Sequence, residues 1–573
     1  KAPSTRAAAS KRPARHAAAR GLGGTGAAMC APLHSSERVR PLRMRTLPPS
    51  AATFLATPTR TTSVSERVLV VFVATSMATR FAFLNERFLN IDEAAHLLGA
   101  RTLLEGDRLY VDFADNKPPL VYAVYALAQL LGGPGLDSVR WFGAIVLVPS
   151  IALAALAYFR FERAGLAAGV AFVVASSTLF ASDGQVVHCE HVMLLPLAWS
   201  LVLTRLPRFF SRAALLFAAG ALVGLATLGK QPAALCLLGY GIGVLWFARG
   251  AAQKAKGVAA LTAGFAAPWA LILIVLARRD SATEAVFWIW QYNAGHVDNP
   301  MSNVERLERL AWYGAALLPS MLPLLAAWGL GWQERRRTER PRSLAQRDSV
   351  MWGLFAVATL LPGLLGLRLF GHYFVPGLFA LSLAAGPFLG RAQLDRRHVA
   401  IASFAVICLV IETVVSLVVH DPARQIADVS RLAYARIGTS VDAHSSESDR
   451  GLFVWGYAPM IYVFADALPA SRFVVPIDTL SGYLAGNDAV LDGRLDTSSR
   501  INDAHRRALL EDLEASRPRH IVDTAPADLN HWARFDLAHF PELEALIERD
   551  YVEESVVDGA VIYVRRGPPI AAQ

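Results

Sequence analysis

The chain is poor in charge and in cysteine. Only 18% of its 573 residues are Asp, Glu, Lys or Arg, against 54% hydrophobic, whereas soluble proteins carry roughly 25% charged residues. The deficit excludes an ordinary soluble enzyme, a disordered scaffold and a coiled coil. Cys30, Cys189, Cys236 and Cys408 are too few and too scattered for a disulfide framework or a zinc ribbon. Cys236 and Cys408 stand inside apolar runs, where a cysteine acts as a small hydrophobe. Acid is scarce at the N-terminus, where residues 1–65 hold eleven Lys or Arg and one acid, Glu37. Lysine is missing from residues 421–573, whose fifteen bases are all Arg and are outnumbered by twenty-four acids. The net positive charge therefore comes from the tail and from short loops between apolar runs, which is an orientation signal. It is not the basic face with interleaved aromatics that nucleic acid requires, so no nucleic-acid partner is expected.

What is abundant is apolar sequence. Runs fall at about 68–84, 139–159, 164–181, 191–206, 212–228, 231–248, 257–277, 310–331, 349–369, 373–390 and 398–419, each near the length that crosses roughly 30 Å of hydrocarbon. The chain reads as a polytopic α-helical membrane protein with about 11 transmembrane helices. With the tail on the cytoplasmic side, the alternate loops 160–163, 205–212, 249–256, 332–348 and 391–398 are all basic and all cytoplasmic. Pro118–Gly132 is apolar but only about 15 residues long, too short to span; were it to cross, every basic loop would face outward. We read it as a helix lying at the outer surface or dipping in without crossing. The last span then delivers residues 421–573, where β-rich stretches such as Leu452–Trp455 and Val556–Val564 alternate with the helix-like Arg506–Ala515. That alternation predicts a small soluble α/β domain on the outer, extracytoplasmic side.

Residues 1–65 show no periodicity to bury and read as a disordered cytoplasmic tail. Gly21, Gly23 and Gly26 satisfy G-x-G-x-x-G, but without a preceding strand and a following helix the match carries no dinucleotide site. The chain opens on Lys1, and Met29 or Met44 is an expected start.

The densest polar stretch beside the apolar core is the first outer loop, about 85–138. Asn90 and Glu93 have capping-box spacing, which starts a helix near Ile91 with Asp92 and Glu93 in its first turn. Carboxylates there also simply complement the helix dipole. Lys117, before Pro118 and Pro119, and Lys230, at the end of a span, read on their own as snorkelling anchors. His372 and Tyr373 read equally as an interfacial belt pair. His188, Glu190 and His191 are metal-ligand types, but their i, i+2, i+3 spacing does not put all three on one helix face. The outer loop at about 278–309 carries Trp288, Trp290, Tyr292, Asn293 and His296, which suits sugar stacking, a cavity lid or an interfacial belt. Glu412, inside the last run, is expected to be satisfied between helices.

Asp92-Glu93, Gly106-Asp107, Tyr110, Asp112 and Asn116-Lys117-Pro118-Pro119 together resemble the first outer loop of the GT-C superfamily. The branch resembled is glycosyltransferase family 39, which includes protein O-mannosyltransferases and lipid A aminoarabinose transferases. Glu190 within DGQVVHCEHVMLLP, Gly224–Gln231 (GLATLGKQ) and Gly371-His372-Tyr373-Phe374 running into Pro376 match in order, so the resemblance covers roughly residues 66–420. It implies a GT-C-like transmembrane catalytic domain over that range. The implied activity is an integral-membrane inverting glycosyltransferase of the inner (plasma) membrane. The donor would be a sugar on polyprenyl phosphate, and the acceptor an envelope glycan, a lipid or a protein at the outer face. The resemblance makes Asp92, with Glu93 beside it, the catalytic acidic position. Outer-side Lys117, Lys230, Arg368, His372 and Tyr373 would hold the donor phosphate. Glu190, with Asp183 nearby, would orient the acceptor or ligate a divalent ion. No D-x-D appears at either acidic position, so metal dependence stays open, and no other cofactor is expected. A lipid or solute transporter is the alternative, though no internal repeat is evident; a receptor acting through its outer domain is a third.

Overall fold

The computed structural model describes residues 61–81, 84, 90–179, 184–296, 302–338, 343–364, 369–419, 426–445, 450–476 and 478–567. Expectations for residues 1–60, Asp183 and Arg368 lie outside this set, as do those for the side chains of His296 and Glu412. Among the described residues each of the eleven apolar runs contains a helix, from Thr61–Arg80 through Arg396–Val419. The first helix begins inside the segment expected to be tail, because extending a formed helix upstream costs far less than nucleating one. Among the described residues, Leu136–Tyr158, Ala251–Ala277, Asn303–Arg335 and Gly371–Leu389 are long and apolar enough to cross a membrane. Six further apolar helices run 10–17 residues, Leu120–Gly132 among them. At 1.5 Å per residue that helix is roughly 20 Å long, short of the hydrocarbon thickness.

Glycines decide how closely the bundle packs. Helices Ala213–Thr227 and Ala251–Ala277 approach backbone to backbone. A Cβ on Gly220, Gly224 or Gly264 would lie 2.1, 2.3 or 2.0 Å from a carbonyl oxygen of the facing helix. Small residues permit such contact where hydrocarbon offers no hydrophobic drive between helices. Elsewhere on Ala251–Ala277 Leu271 and Ile274 are exposed, as on a lipid-facing surface.

The basic loops gather at one end of this bundle. Arg391 pairs with Glu334, Arg160 donates to the carbonyl of Arg205 (3.4 Å), and Gly390 fits against the backbone of Arg163 and Ala164. The first polar loop is built at the opposite ends of the helices. There Arg140, near the start of Leu136–Tyr158, is buried against Glu93.

Residues beyond the bundle form a five-stranded sheet: β1 (Gly451–Trp455), β2 (Leu468–Pro469), β3 (His520–Asp523), β4 (Tyr551–Val557) and β5 (Ala560–Arg565). Its order is β2-β1-β3-β5-β4, with β1 parallel to β2 and β3, and β5 antiparallel to β3 and β4. The stretch Val556–Val564 is not one strand but the β4–β5 hairpin. Asp558 and Gly559 both have positive φ (49° and 86°), the pair that a two-residue I′ turn needs. The sheet lies within the C-terminal stretch where an α/β domain is expected, and it packs on the polar end of the bundle. The backbone N–H of Ala114 donates to the carbonyl of Arg472 (2.8 Å), and Arg309 donates to that of Gly486 (2.9 Å).

Candidate active site

A cavity of about 510 Å³ lies between the polar end of the bundle and the sheet domain. Its floor comes from six separate stretches, residues 90–96, 113–117, 188–190, 230–231, 292–293 and 370–373. Asn90 caps the helix Ile91–Leu104, accepting from the N–H groups of Asp92 and Glu93 (2.9 and 3.2 Å). The cap is the expected one, but the capping box is not closed: Glu93 turns away from Asn90 into the protein. It is fully buried, accepts from Arg140 Nη2 and Nε (2.7 and 3.0 Å) and takes the N–H of Val187 (2.9 Å). Expected as a catalytic partner of Asp92, Glu93 does not line the cavity. Successive helical residues point about 100° apart, so one faces the cavity and the other the core.

Asp92 is surrounded by cations and imidazoles. Burial alone would raise its pKa, but Lys117, His96, His372 and His188 overcome that and hold the carboxyl well below its usual range. Lys117 responds reciprocally: burial would lower it, and Asp92 and Asp115 keep it above its ordinary value. Burial pushes His96 down to about 4, against the pull of Asp92, which leaves it neutral at physiological pH. Lys230 forms an ion pair with Glu190 and lies 4.1 Å from the centre of the Tyr373 ring, so it is no free snorkelling anchor. Burial alone would lower its pKa, but Glu190, with Tyr373 and Cys189, raises it above the ordinary value.

The three residues that looked like a local metal set disperse. His188 is the N-cap of Cys189–Leu203, with extended backbone, so it is not on the helix at all. Glu190 goes to Lys230, and the Nδ1 of His191 turns back to the N–H of His188 (3.3 Å). A different set converges instead. A carboxylate oxygen of Asp92 and one ring nitrogen each of His188 and His372 lie within 4.8 Å of one another. The two imidazoles stack with centroids 4.0 Å apart. One carboxylate and two imidazoles suit a divalent transition metal, so the residues present fit such an ion.

The loop between Phe113 and Pro118 supplies Lys117, Asn116 and Asp115; Asp115 accepts from the Tyr122 hydroxyl (2.7 Å). Of the remaining motif residues, Asp112 is paired with Arg108 (3.1 Å) and Gly106 turns the chain after the helix with φ +88°. These shape the loop and do not enter the cavity. Gln231, Tyr292 and Asn293 complete the floor, while Tyr457 and Tyr483, from the sheet domain, form part of the roof. Tyr292 donates to Asp478 (2.6 Å), which also receives Arg500 (3.1 Å). Trp288 stacks on His505 (5.2 Å). The aromatic loop thus bridges bundle and domain. Sequence reasoning missed His188, Asp115, Gln231 and the roof tyrosines as cavity residues. Asp115 adjoins a stretch already singled out and Gln231 ends another without having been given a role; the roof tyrosines carry no local signal.

A second opening of about 390 Å³, mainly apolar, shares Glu190, Lys230, Gln231, Asn293 and Tyr373 with the first. It continues along Met193, Leu197, Cys236, Ala358 and Pro362 between helices. A polar chamber and an apolar groove therefore meet at the Lys230–Glu190 pair.

No protein-family profile matches the sequence, and no curated protein matches it. Solved structures do. ArnT from Cupriavidus metallidurans bound to undecaprenyl phosphate is similar with a TM-score of 0.51 at 17% identity, over 87% of this chain and 99% of ArnT. Its apo state gives 0.52 at 16%, over 88% and 99%. At that identity the likeness speaks for architecture: the chain has the GT-C fold, that of the polytopic membrane glycosyltransferases.

Proposed function

We propose that the chain is an inverting glycosyltransferase that moves a sugar from a polyprenyl-phosphate donor to a hydroxyl of an envelope glycan, lipid or protein at the outer membrane-water boundary. One observation carries this reading. The polar chamber holding Asp92, Lys117 and Lys230 opens into an apolar groove between helices, which suits a ligand that is a charged head on a long hydrocarbon tail. The ArnT structure with undecaprenyl phosphate is such a pairing in a protein of the same fold.

In this mechanism the tail lies along the groove and the phosphate reaches Lys117 and Lys230. His372 and Tyr373 flank it; Arg368 and Asp183 keep the roles the sequence resemblance implies. The acceptor hydroxyl attacks the anomeric carbon from the face opposite the phosphate. As the new C–O bond forms, the bond to the phosphate oxygen breaks and its electron pair leaves on the phosphate, whose charge the two lysines stabilise. The hydroxyl proton passes to Asp92. Beside the charged Lys117, Asp92 is held strongly ionised and is a weak base. Once the phosphate neutralises Lys117 the restraint relaxes, and the basicity of Asp92 rises toward the working range. Asp92, His188 and His372 would hold a divalent cation, which supplies Lewis-acid stabilisation of phosphate charge when bound. Glu190 keeps Lys230 charged and aimed at the junction. Glu93 serves the fold.

Replacing Asp92 with Asn tests the reading. We expect kcat to fall about 10²–10⁴-fold, with membrane insertion and polyprenyl phosphate binding retained. Full transfer activity in that variant sinks the assignment.

A further inference from the structure

Lys117, the cation that acts most strongly on Asp92, sits on a loop, and a loop is a poor holder of a charge whose position matters. This loop is tied down from three elements. Asn293 Nδ2 donates to the carbonyl of Asn116 (2.8 Å), the residue before Lys117. Gln231 Nε2 reaches the same oxygen at 3.4 Å. The Tyr110 hydroxyl donates to the carbonyl of Lys117 itself (2.9 Å), from a backbone with φ +72°. That conformation is costly for a bulky residue and persists only where its surroundings fix it.

Asn293 lines the cavity, so direct contact with substrate is the competing role. Its donors argue otherwise. A carboxamide nitrogen carries two hydrogens, and here three carbonyls share it: Asn116, Ile289 (3.0 Å) and Trp288 (3.3 Å). None is left for a phosphate oxygen. The Ile289 and Trp288 carbonyls belong to a six-residue π-helical turn, Phe287–Tyr292, and such turns often occur at functional sites. The same turn sends Tyr292 to Asp478 of the sheet domain.

We infer that Asn293 is a positioning residue for Lys117. Its carboxamide locks the Asn116 carbonyl to the π-turn and so presets the ammonium for an anionic phosphate. The inference rests on the reading of Lys117 as a phosphate-binding cation.

The test is a double-mutant cycle on the full-length protein in detergent, reading the Kd of a polyprenyl phosphate, with the uncharged polyprenol of equal length as control. Lys117→Ala should weaken phosphate binding about tenfold, in line with loss of one charge-assisted contact, and leave polyprenol binding unchanged. Asn293→Ala should weaken it about as much, and the double variant no further than either single one. Tyr110→Phe removes only the hydroxyl from the same clamp; it should move Kd in the same direction and serves if Asn293→Ala folds poorly. If Lys117→Ala leaves Kd unchanged, the reading of Lys117 fails and the inference with it. If Lys117→Ala acts but Asn293→Ala does not, or the two losses multiply to about a hundredfold, the positioning role is wrong and the proposed function stands. Equal loss of polyprenol binding in the Asn293 variant would mark a general packing defect and overturn the inference too.

Discussion

Lys117 governs the ionisation of Asp92, and that has a measurable consequence. Among the groups that hold the Asp92 carboxyl down, Lys117 acts most strongly. Removing that charge lets the pKa rise, so protonation, and with it loss of the proton acceptor, begins at higher pH. In Lys117→Ala the acid limb of kcat/KM should therefore move upward in pH, since that profile reports the free enzyme. An unmoved limb would mean another group titrates there. Glu93 leads to a contrasting prediction. Its buried pair with Arg140 satisfies both charges, and removing one partner of such a pair costs about 3–5 kcal/mol. Glu93→Ala should lower the melting temperature and the yield of folded protein, and whatever folds should keep its acid limb. Asp92 and Lys117 were legible in the sequence because each sits in a short, recognisable run. Glu93 looked equivalent only through adjacency, although the helical rotation between neighbours already argued against two adjacent cavity carboxylates. His188 was discounted by a sound spacing argument that applied to the wrong set, since its partners Asp92 and His372 come from distant stretches.

At the scale of elements, hydropathy alone located every apolar helix, because burial in hydrocarbon depends on composition summed over about twenty residues. Helix ends and irregularities were not visible that way. The π-turn at Gly143–Leu147 inside Leu136–Tyr158, and the one at Phe287–Tyr292, are set by packing and not by propensity. The glycine seam was readable in principle: Gly220 and Gly224 have the small-xxx-small spacing of close helix pairs. It predicts a sharp contrast between glycines. Gly224→Val must drive a side chain into the Phe265 carbonyl, a clash at or beyond the upper end of the usual 1–3 kcal/mol for overpacking. Gly241, in helix Leu235–Phe247, has nothing within 4 Å of the site a Cβ would take. Gly241→Ala should leave stability unchanged or raise it by about 0.5–1 kcal/mol, the helical cost of glycine. Thermal melting in detergent separates the two; similar melting of both variants would refute the seam.

The whole molecule is a bundle capped by a domain, and the cavity exists only where they meet. Strand-like and helix-like stretches made the domain's class legible, but not its sheet order, which depends on long-range pairing, nor its part in the roof. Tyr457 and Tyr483 come from loops whose positions follow from that sheet. The geometry of the assembly also bears on how it sits in a membrane. The cluster of basic loops around Arg160, Arg205 and Arg391 lies at the end of the bundle away from Asp92 and the sheet domain. Cationic loops stay on the cytoplasmic side, so the cavity should face outward, where a lipid-linked sugar meets its acceptor. A cysteine at Ala251, exposed within the basic segment 249–256, and one at Ser498, exposed on the sheet domain, report the two ends. In intact cells or right-side-out vesicles a membrane-impermeant thiol reagent should label Ser498→Cys and spare Ala251→Cys until the membrane is opened. Labelling of both from outside would break the topology, and labelling of Ala251→Cys alone would invert it. In either case the acceptor would have to be sought on the cytoplasmic side or the bundle threaded differently, because the helices joining the two ends leave no third arrangement.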